Sequence, residues 1–385
     1  MNYRKLGNTE LTVSEIGLGT YTASGVYGRN NLEDIKEVIL RALELGITYF
    51  DTAPGYGDAE KLLGSSLKGM REKIALATKF SLMGIKDEGI ENYIISSLQS
   101  SLKNLETNFV DLYFVHFDSL ITPVQIIIDT LEKLRREGKI RYYGIGHINL
   151  GRINEYRKFG NVSAYMIEMH PAQIKPYKKI LSVAQKDNSG LIAFSTSGRG
   201  LMSGKIQKPN FGEGDIRNLD PTFYGKRLKS GLRIAERLAE IGKEYKKSAI
   251  QVGINWILSK PSISCALIGP SNIEHLKENV DSVNFKLKGK DFNIIDNLIQ
   301  KEEENFDKAV RVEIEEILKN PISISIETEF KALIYVVEEA IDTGLAGEKE
   351  ILPIVQNLFL LRKMDRQKQR RELKEAKEKI KDIIL

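Results

Sequence analysis

Short apolar runs alternate with amphipathic stretches along roughly the first 300 residues of the chain. The runs at 14–20, 47–51, 74–79, 110–116, 140–146, 164–169, 191–196 and 264–269 are apolar at nearly every position. A strand with one wet face would alternate, so these predict strands buried on both faces, as in a parallel sheet. Between them, segments such as 31–46, 90–105, 123–139 and 227–245 place apolar residues three and four apart. That spacing predicts helices laying one stripe on the sheet, the first stopped by Gly46. Eight such units predict an α/β fold, a (β/α)8 TIM barrel. A doubly wound open sheet is the competing architecture, but no Gly-x-Gly-x-x-Gly follows the first strand.

Sites in a (β/α)8 barrel lie at the carboxyl ends of the strands. The second predicted strand ends at Asp51, the third at Lys79 and the fourth at His116, and Tyr56 sits in the turn after Asp51. Singly, each has an ordinary explanation as a turn former, a solvated strand end or a packed ring. Together, on three neighbouring strands, they suit carbonyl reduction. Hydride arriving at a carbonyl carbon leaves charge on oxygen, and tyrosine can supply the proton if its pKa, near 10 when free, is lowered. A lysine ammonium beside the phenol would lower it, an aspartate would balance that lysine, and a histidine could orient the substrate oxygen.

Charge and composition narrow the class. Residues 362–385 carry ten Lys/Arg against five Asp/Glu, which accounts for the whole formal charge of +5 and leaves the rest neutral. A neutral body with a basic tail argues against a nucleic-acid-binding domain. No apolar run reaches the roughly 18 residues of a membrane span. Cys265 stands alone, so an internal disulfide or a thiolate cluster is excluded. With no secretory pattern in MNYRKLGNTE, a cytoplasmic protein is expected.

The motif Phe-Asp-Thr-Ala-x-x-Tyr-Gly (50–57), the Ala-Thr-Lys at 77–79 and the strand ending in His116 resemble the aldo-keto reductase family. The likeness runs over about residues 3–300, through RKLGNTELTVSEIGLGT, EGKIRYYGIG, GRGLMSGK (198–205), EGDIRNLDPTF (213–223) and IGPSNIEHLKENV (268–280). It implies a TIM-barrel oxidoreductase using NADP(H), with NAD(H) open, in which Asp51, Tyr56, Lys79 and His116 form the catalytic tetrad and Tyr56 donates the proton. It further implies that Phe194 stacks on the nicotinamide and that the loop from Ser195 to Lys205, with Gly198, Gly200 and Ser203, covers the pyrophosphate. Gly269 and Ser271 would meet an adenosine phosphate at a helix N-terminus. Glu278 and Asn279 would reach the adenine, and Thr20 and Asp51 count among the cofactor residues.

Three positions depart from the family pattern. Gly146-His147 stands where Ser-Asn is usual, Met166 replaces a glutamine, and His275 takes the place of an arginine that clamps the 2′-phosphate in some members. Lys205 and Lys277 could compensate for the last. His116, His147 and His170 end three successive strands, which is ligand-like spacing, but no His-x-His or carboxylate cluster joins them, so no metal is expected. Tyr21, Tyr27, Phe117 and Phe223 are candidate walls of an apolar carbonyl pocket.

The barrel is assigned to residues 1–305 and an α-helical extension to 306–385, with the charged run 301–308 as the junction. Segments 330–342 and 349–364 carry helical apolar stripes, and Leu373, Ala376, Ile380 and Ile383 share one face of the last. Such stripes would pack on the barrel or on a second subunit, so a homo-oligomer is expected as the alternative to a monomer. The expected activity is NAD(P)H-dependent reduction of a small aldehyde or ketone. A nucleotide-sensing binding subunit with little turnover is the rival.

Overall fold

Eight parallel strands close into a barrel in the computed structural model, which describes residues 1–385 apart from 29–30, 83–88, 119–121, 148–149, 213–214, 224, 321–325, 343, 348–349, 352, 355–356 and 358–364. They are β3 (Ile16–Gly19), β4 (Tyr49–Asp51), β5 (Ala75–Ser81), β6 (Val110–Phe117), β7 (Ile140–Gly146), β8 (Ala164–Glu168), β9 (Gly190–Phe194) and β10 (Ile263–Ile268), with β10 pairing back on β3. A hairpin of β1 (Tyr3–Lys5) and β2 (Thr12–Ser14) precedes them. The strand-to-strand crossovers carry α1 (Leu32–Glu44), α2 (Ala59–Ser66), α3 (Ile90–Asn104), α4 (Val124–Arg136), α5 (Leu150–Phe159), α6 (Lys175–Asp187), α7 (Gly225–Tyr245) and α8 (Ala249–Leu258). After β10 come α9 (Ile273–Val280) and α10 (Gly289–Lys319).

Strand parity divides the apolar residues of the barrel between its interior and the layer beneath the helices. Along β6, Leu112 and Phe114 belong to the cluster inside the barrel, whereas Tyr113 and Val115 join the layer between strands and helices. The same alternation sends Tyr49, Ala75, Ala77, Met166, Ile192 and Cys265 inward. Both faces are therefore apolar, which is why the strands read as unbroken runs. Leu6, Leu11 and Val13 from the hairpin region join the inner cluster. They cap the end of the barrel where the strands begin.

A second core lies apart from the barrel. Val310, Ile314 and Leu318 of α10 meet Leu333, Val336, Val337 and Ala340 of α11 (Ile326–Asp342), and Leu373, Ala376, Ile380 and Ile384 of α12 (Arg366–Ile384). Ile295 and Ile299, earlier in α10, belong to the barrel layer. The charged run 301–308 is thus the middle of a continuous 31-residue helix, not a linker. The apolar face of α12 closes on Ile384, with Ile383 only half-buried, and it packs on α11 and α10 rather than on the barrel. The predicted helix at 349–364 falls mostly outside the described residues. Among the described residues no helix is long and apolar enough to cross a membrane.

Candidate active site

Strand parity also explains why the tetrad converges. Asp51 is two residues beyond inward-facing Tyr49, Lys79 two beyond Ala77, and His116 two beyond Phe114. Each therefore continues the inner register into the last layer at the carboxyl mouth. The Lys79 Nζ donates to Asp51 Oδ1 at 2.5 Å and to the Thr52 carbonyl at 2.7 Å. Tyr56 arrives from the turn between β4 and α2, where its N–H bonds the Ala53 carbonyl at 3.0 Å. Its ring centre lies 4.9 Å from the Lys79 ammonium and 5.8 Å from the His116 ring, nearly perpendicular to it.

Burial dominates the electrostatics. Asp51 and Lys79 are 3% and 2% exposed. Desolvation pushes the Asp51 carboxyl up and the Lys79 ammonium down, and their mutual attraction opposes both shifts. The Tyr56 phenol is held well above its usual range by burial first, then by the Asp51 and Tyr21 charges. This differs from the expected acidification by lysine. The Lys79 charge is matched by Asp51, and two of its three hydrogens go to Asp51 and Thr52, so burial of the phenol wins. The Tyr56 phenol is accordingly protonated at neutral pH. His116 is pushed down to about 2 by burial and by Lys79 and His147, so its imidazole is neutral.

These residues form the floor of a cleft of about 1310 Å³. Phe194, Ser195, Gly200, Ser203, Lys205, Gly269, Ser271, His275, Glu278, Asn279 and His147, all expected to meet the cofactor, line it. Two implied cofactor residues do not. Thr20 is buried beneath the rim, where its hydroxyl donates to the Asp51 carbonyl at 3.1 Å. Gly198 faces the other way, with a Cβ there only 3.2 Å from the His170 ring. His170 thus lies behind the loop, away from His116 and His147, whose rings are 5.5 Å apart. Among the described residues no three His, Cys, Asp or Glu side chains are grouped as metal ligands would be.

His147 adopts a left-handed backbone (φ 45°) and stands between the Phe117 and Phe194 rings, 4.8 Å from each. The surrounding walls depress its pKa to about 4, with Glu168 opposing. Met166 lines the cleft beside it. Tyr21, Tyr27 and Phe117 are walls as expected, whereas Phe223 is fully buried against Phe211 and forms no part of the cleft. Tyr93 and Ser97 of α3, Arg199, Arg217 and the α8 N-terminus at Ser248 also line it without having been singled out. Arg199 stood inside the GRGLMSGK motif; its charge was the available signal. Tyr93 and Ser97, one helical turn apart, gave none.

A family model described as the Aldo/keto reductase family matches residues 15–300, and the chain belongs to that family. It is similar to aldo-keto reductase YhdN of Bacillus subtilis (strain 168), 30% identical over an alignment of 292 positions that covers 72% of this chain and 88% of that protein. It is also similar to the Schizosaccharomyces pombe (strain 972 / ATCC 24843) aldo-keto reductase yakc, whose name carries NADP(+), at 29% identity over 74% of this chain and 87% of the relative. The holo form of aldo-keto reductase AKR11C1 from Bacillus halodurans superposes with a TM-score of 0.65 at 27% identity, covering 77% of this chain and 96% of that one. The protein is an oxidoreductase of this class on a (β/α)8 barrel.

Proposed function

We propose that the protein reduces an aldehyde or ketone to the alcohol, with NADPH as reductant and Tyr56 as proton donor. The observation that carries this is the meeting of Tyr56, Lys79, Asp51 and His116 on the floor of one cleft beside Phe194. The residues present fit a dinucleotide. At about 1310 Å³ the cleft exceeds the roughly 300–1,000 Å³ of a single small-ligand pocket. Phe194 offers an aromatic face next to the tetrad, and the Asn272-capped start of α9 offers N–H groups to a phosphate. Lys205, exposed at the cleft, and the name of the yeast relative support NADPH over NADH.

When bound, the nicotinamide supplies a hydride to the carbonyl carbon. Tyr56 gives its proton to the oxygen as charge develops there, and the phenolate left behind is reprotonated from solvent. Lys79, 4.9 Å from the ring, favours that phenolate by its positive charge, and Asp51 keeps the lysine in place. Neutral His116 orients the substrate oxygen by a hydrogen bond. Tyr21, Tyr27 and Phe117 favour an apolar carbonyl compound.

We further divide the chain into a barrel over 1–305 and an extension over 306–385, and place the protein in the cytoplasm on its single buried cysteine and neutral body. Among the described residues, the stripes of α11 and α12 cover one another in the second core, which favours a monomer. Titration with both dinucleotides, followed by a panel of aldehydes and ketones, tests the function. Tight NADPH binding without turnover on any carbonyl would sink the reductase and leave a nucleotide sensor.

A further inference from the structure

The dinucleotide cleft and a second cavity share a wall. The second cavity, of about 340 Å³, lies between the barrel and the C-terminal extension. Arg199 and Ile216 line both spaces. The Arg199 guanidinium sits 2.8 Å from Glu168 on β8 and 2.6 Å from Asp220 in the segment before α7. Its backbone is left-handed (φ 51°), an arrangement that a non-glycine residue keeps only when its surroundings fix it. Arg199 is therefore the anchor of the loop 195–205, which borders the cleft.

One wall of the small cavity is formed by the extension, through Phe306 and Glu339. Glu339 of α11, 5% exposed, pairs with Arg227 near the start of α7. The Arg227 guanidinium also lies 4.4 Å from the centre of the Phe306 ring. Lys175 reaches Asp307 at 2.5 Å, and Glu302 accepts from Arg233 at 2.5 Å and from Ser230 at 2.8 Å. Neither Arg227 nor Glu339 touches the cleft. Their contribution is to shield one side of the Arg199 ion pairs from water, since such pairs weaken as the local dielectric rises.

We propose that the C-terminal extension is a positioning element for the dinucleotide loop. By walling one side of the cavity behind Arg199 it holds residues 195–205 against the cleft, so that docking of the extension and binding of NADPH strengthen each other. The coupling is reciprocal: whatever factor docking contributes to NADPH affinity, NADPH returns to docking. This rests on the reading of the cleft as a dinucleotide site. Within it, Arg227 and Glu339 are positioning residues that line no part of the cleft, and they act through Arg199, which does.

The test uses the full chain with Glu339→Gln, Arg227→Gln and the conservative Glu339→Asp. NADPH dissociation constants are measured well below each protein's melting temperature, together with hydrogen exchange of α11 with and without NADPH. The expected result is a dissociation constant about 5- to 10-fold higher in both glutamine variants, partial recovery in Glu339→Asp, and slower α11 exchange on NADPH addition in the wild type only. A merely structural role would lower the melting temperature equally with and without NADPH and leave the dissociation constant unmoved, which would overturn the inference while the reductase stood. A wild type that binds neither dinucleotide would overturn both.

Discussion

The Lys79 ammonium and the Asp51 carboxylate form an ion pair 2.5 Å long, each nearly sealed from water at the mouth of the barrel. Such a pair is a poor source of stability, because two desolvation costs offset one attraction. On the proposed mechanism its value lies in fixing a positive charge 4.9 Å from the Tyr56 ring, where a phenolate would form and vanish in each turnover.

Removing the lysine alone should therefore damage both fold and chemistry. Lys79→Met leaves Asp51 buried and uncompensated, at a cost of roughly 3–5 kcal/mol, and drives its carboxyl further up. Urea denaturation should show that Lys79→Met with Asp51→Asn is more stable than Lys79→Met alone. If the double variant is the less stable, the buried charge is not what destabilises the single one.

Tyr56→Phe keeps the ring and its packing on Tyr21, 4.9 Å away, but loses the proton donor. Aldehyde-dependent NADPH oxidation should fall about 10²- to 10⁴-fold with little change in NADPH affinity. Combined with Lys79→Met the rate losses should not add, since both serve one proton transfer. Wild-type turnover by Tyr56→Phe would remove Tyr56 from the chemistry.

The strands and the tetrad were legible because parity and strand ends are both local features of sequence. All eight barrel strands lie where the apolar runs do, and the inward positions of Asp51, Lys79 and His116 follow from two-residue periodicity. The β1–β2 hairpin was not legible, since its strands have three residues each and leave no period to detect. Nor was the direction of the Tyr56 shift. Motif spacing shows which charges are near, whereas burial of the phenol depends on Tyr21 and the whole cleft wall. Phe223 illustrates a related failure: an aromatic residue beside a loop motif can turn into the core as easily as into a pocket.

Acid should unfold the protein partly through His170. Burial first, with Arg199 and Arg227 adding to it and Glu168 and Asp220 opposing, lowers its pKa from 6.5 to about 4. A histidine whose folded pKa is depressed contributes stability that is complete above its unfolded value and is lost as pH falls towards the folded one. The window is thus pH 6.5 to 4, and the full difference is about 3 kcal/mol. His147 and His116 act in the same direction. His170→Gln should lose less stability between pH 6.5 and 4 than the wild type in urea titrations. Parallel pH profiles would show that His170 is not buried as a neutral ring.

Dinucleotide preference is expected to respond to the residue at position 275, which lines the cleft. In the first turn of α9 its Nδ1 lies 3.4 Å from the Ser271 hydroxyl, at the exposed end of the cleft. His275→Arg adds a permanent charge with forked donors, and one charge-assisted hydrogen bond to a phosphate is worth roughly 1.5–3 kcal/mol. NADPH affinity should rise about tenfold or more while NADH affinity stays constant, as read by paired fluorescence titrations. An equal gain for both would place the new contact on the shared pyrophosphate instead.

The two hydrophobic cores should open independently, although α10 runs through both. Ile295 and Ile299 pack in the barrel layer, Val310, Ile314 and Leu318 in the second core, and the intervening stretch is held to the barrel by polar contacts such as Glu302 with Arg233. Surface and rim ion pairs couple weakly compared with shared apolar packing. Leu333→Ala removes a fully buried side chain from the second core, at a cost of roughly 2–5 kcal/mol. Amide exchange should then quicken in α11, α12 and the end of α10, while β5 and β6, paired along their length in the barrel, keep the wild-type rates. Mass-spectrometric hydrogen exchange on both proteins resolves the segments. If β5 and β6 quicken by the same factor as α12, the chain opens as one unit and the division at residue 305 has no thermodynamic meaning.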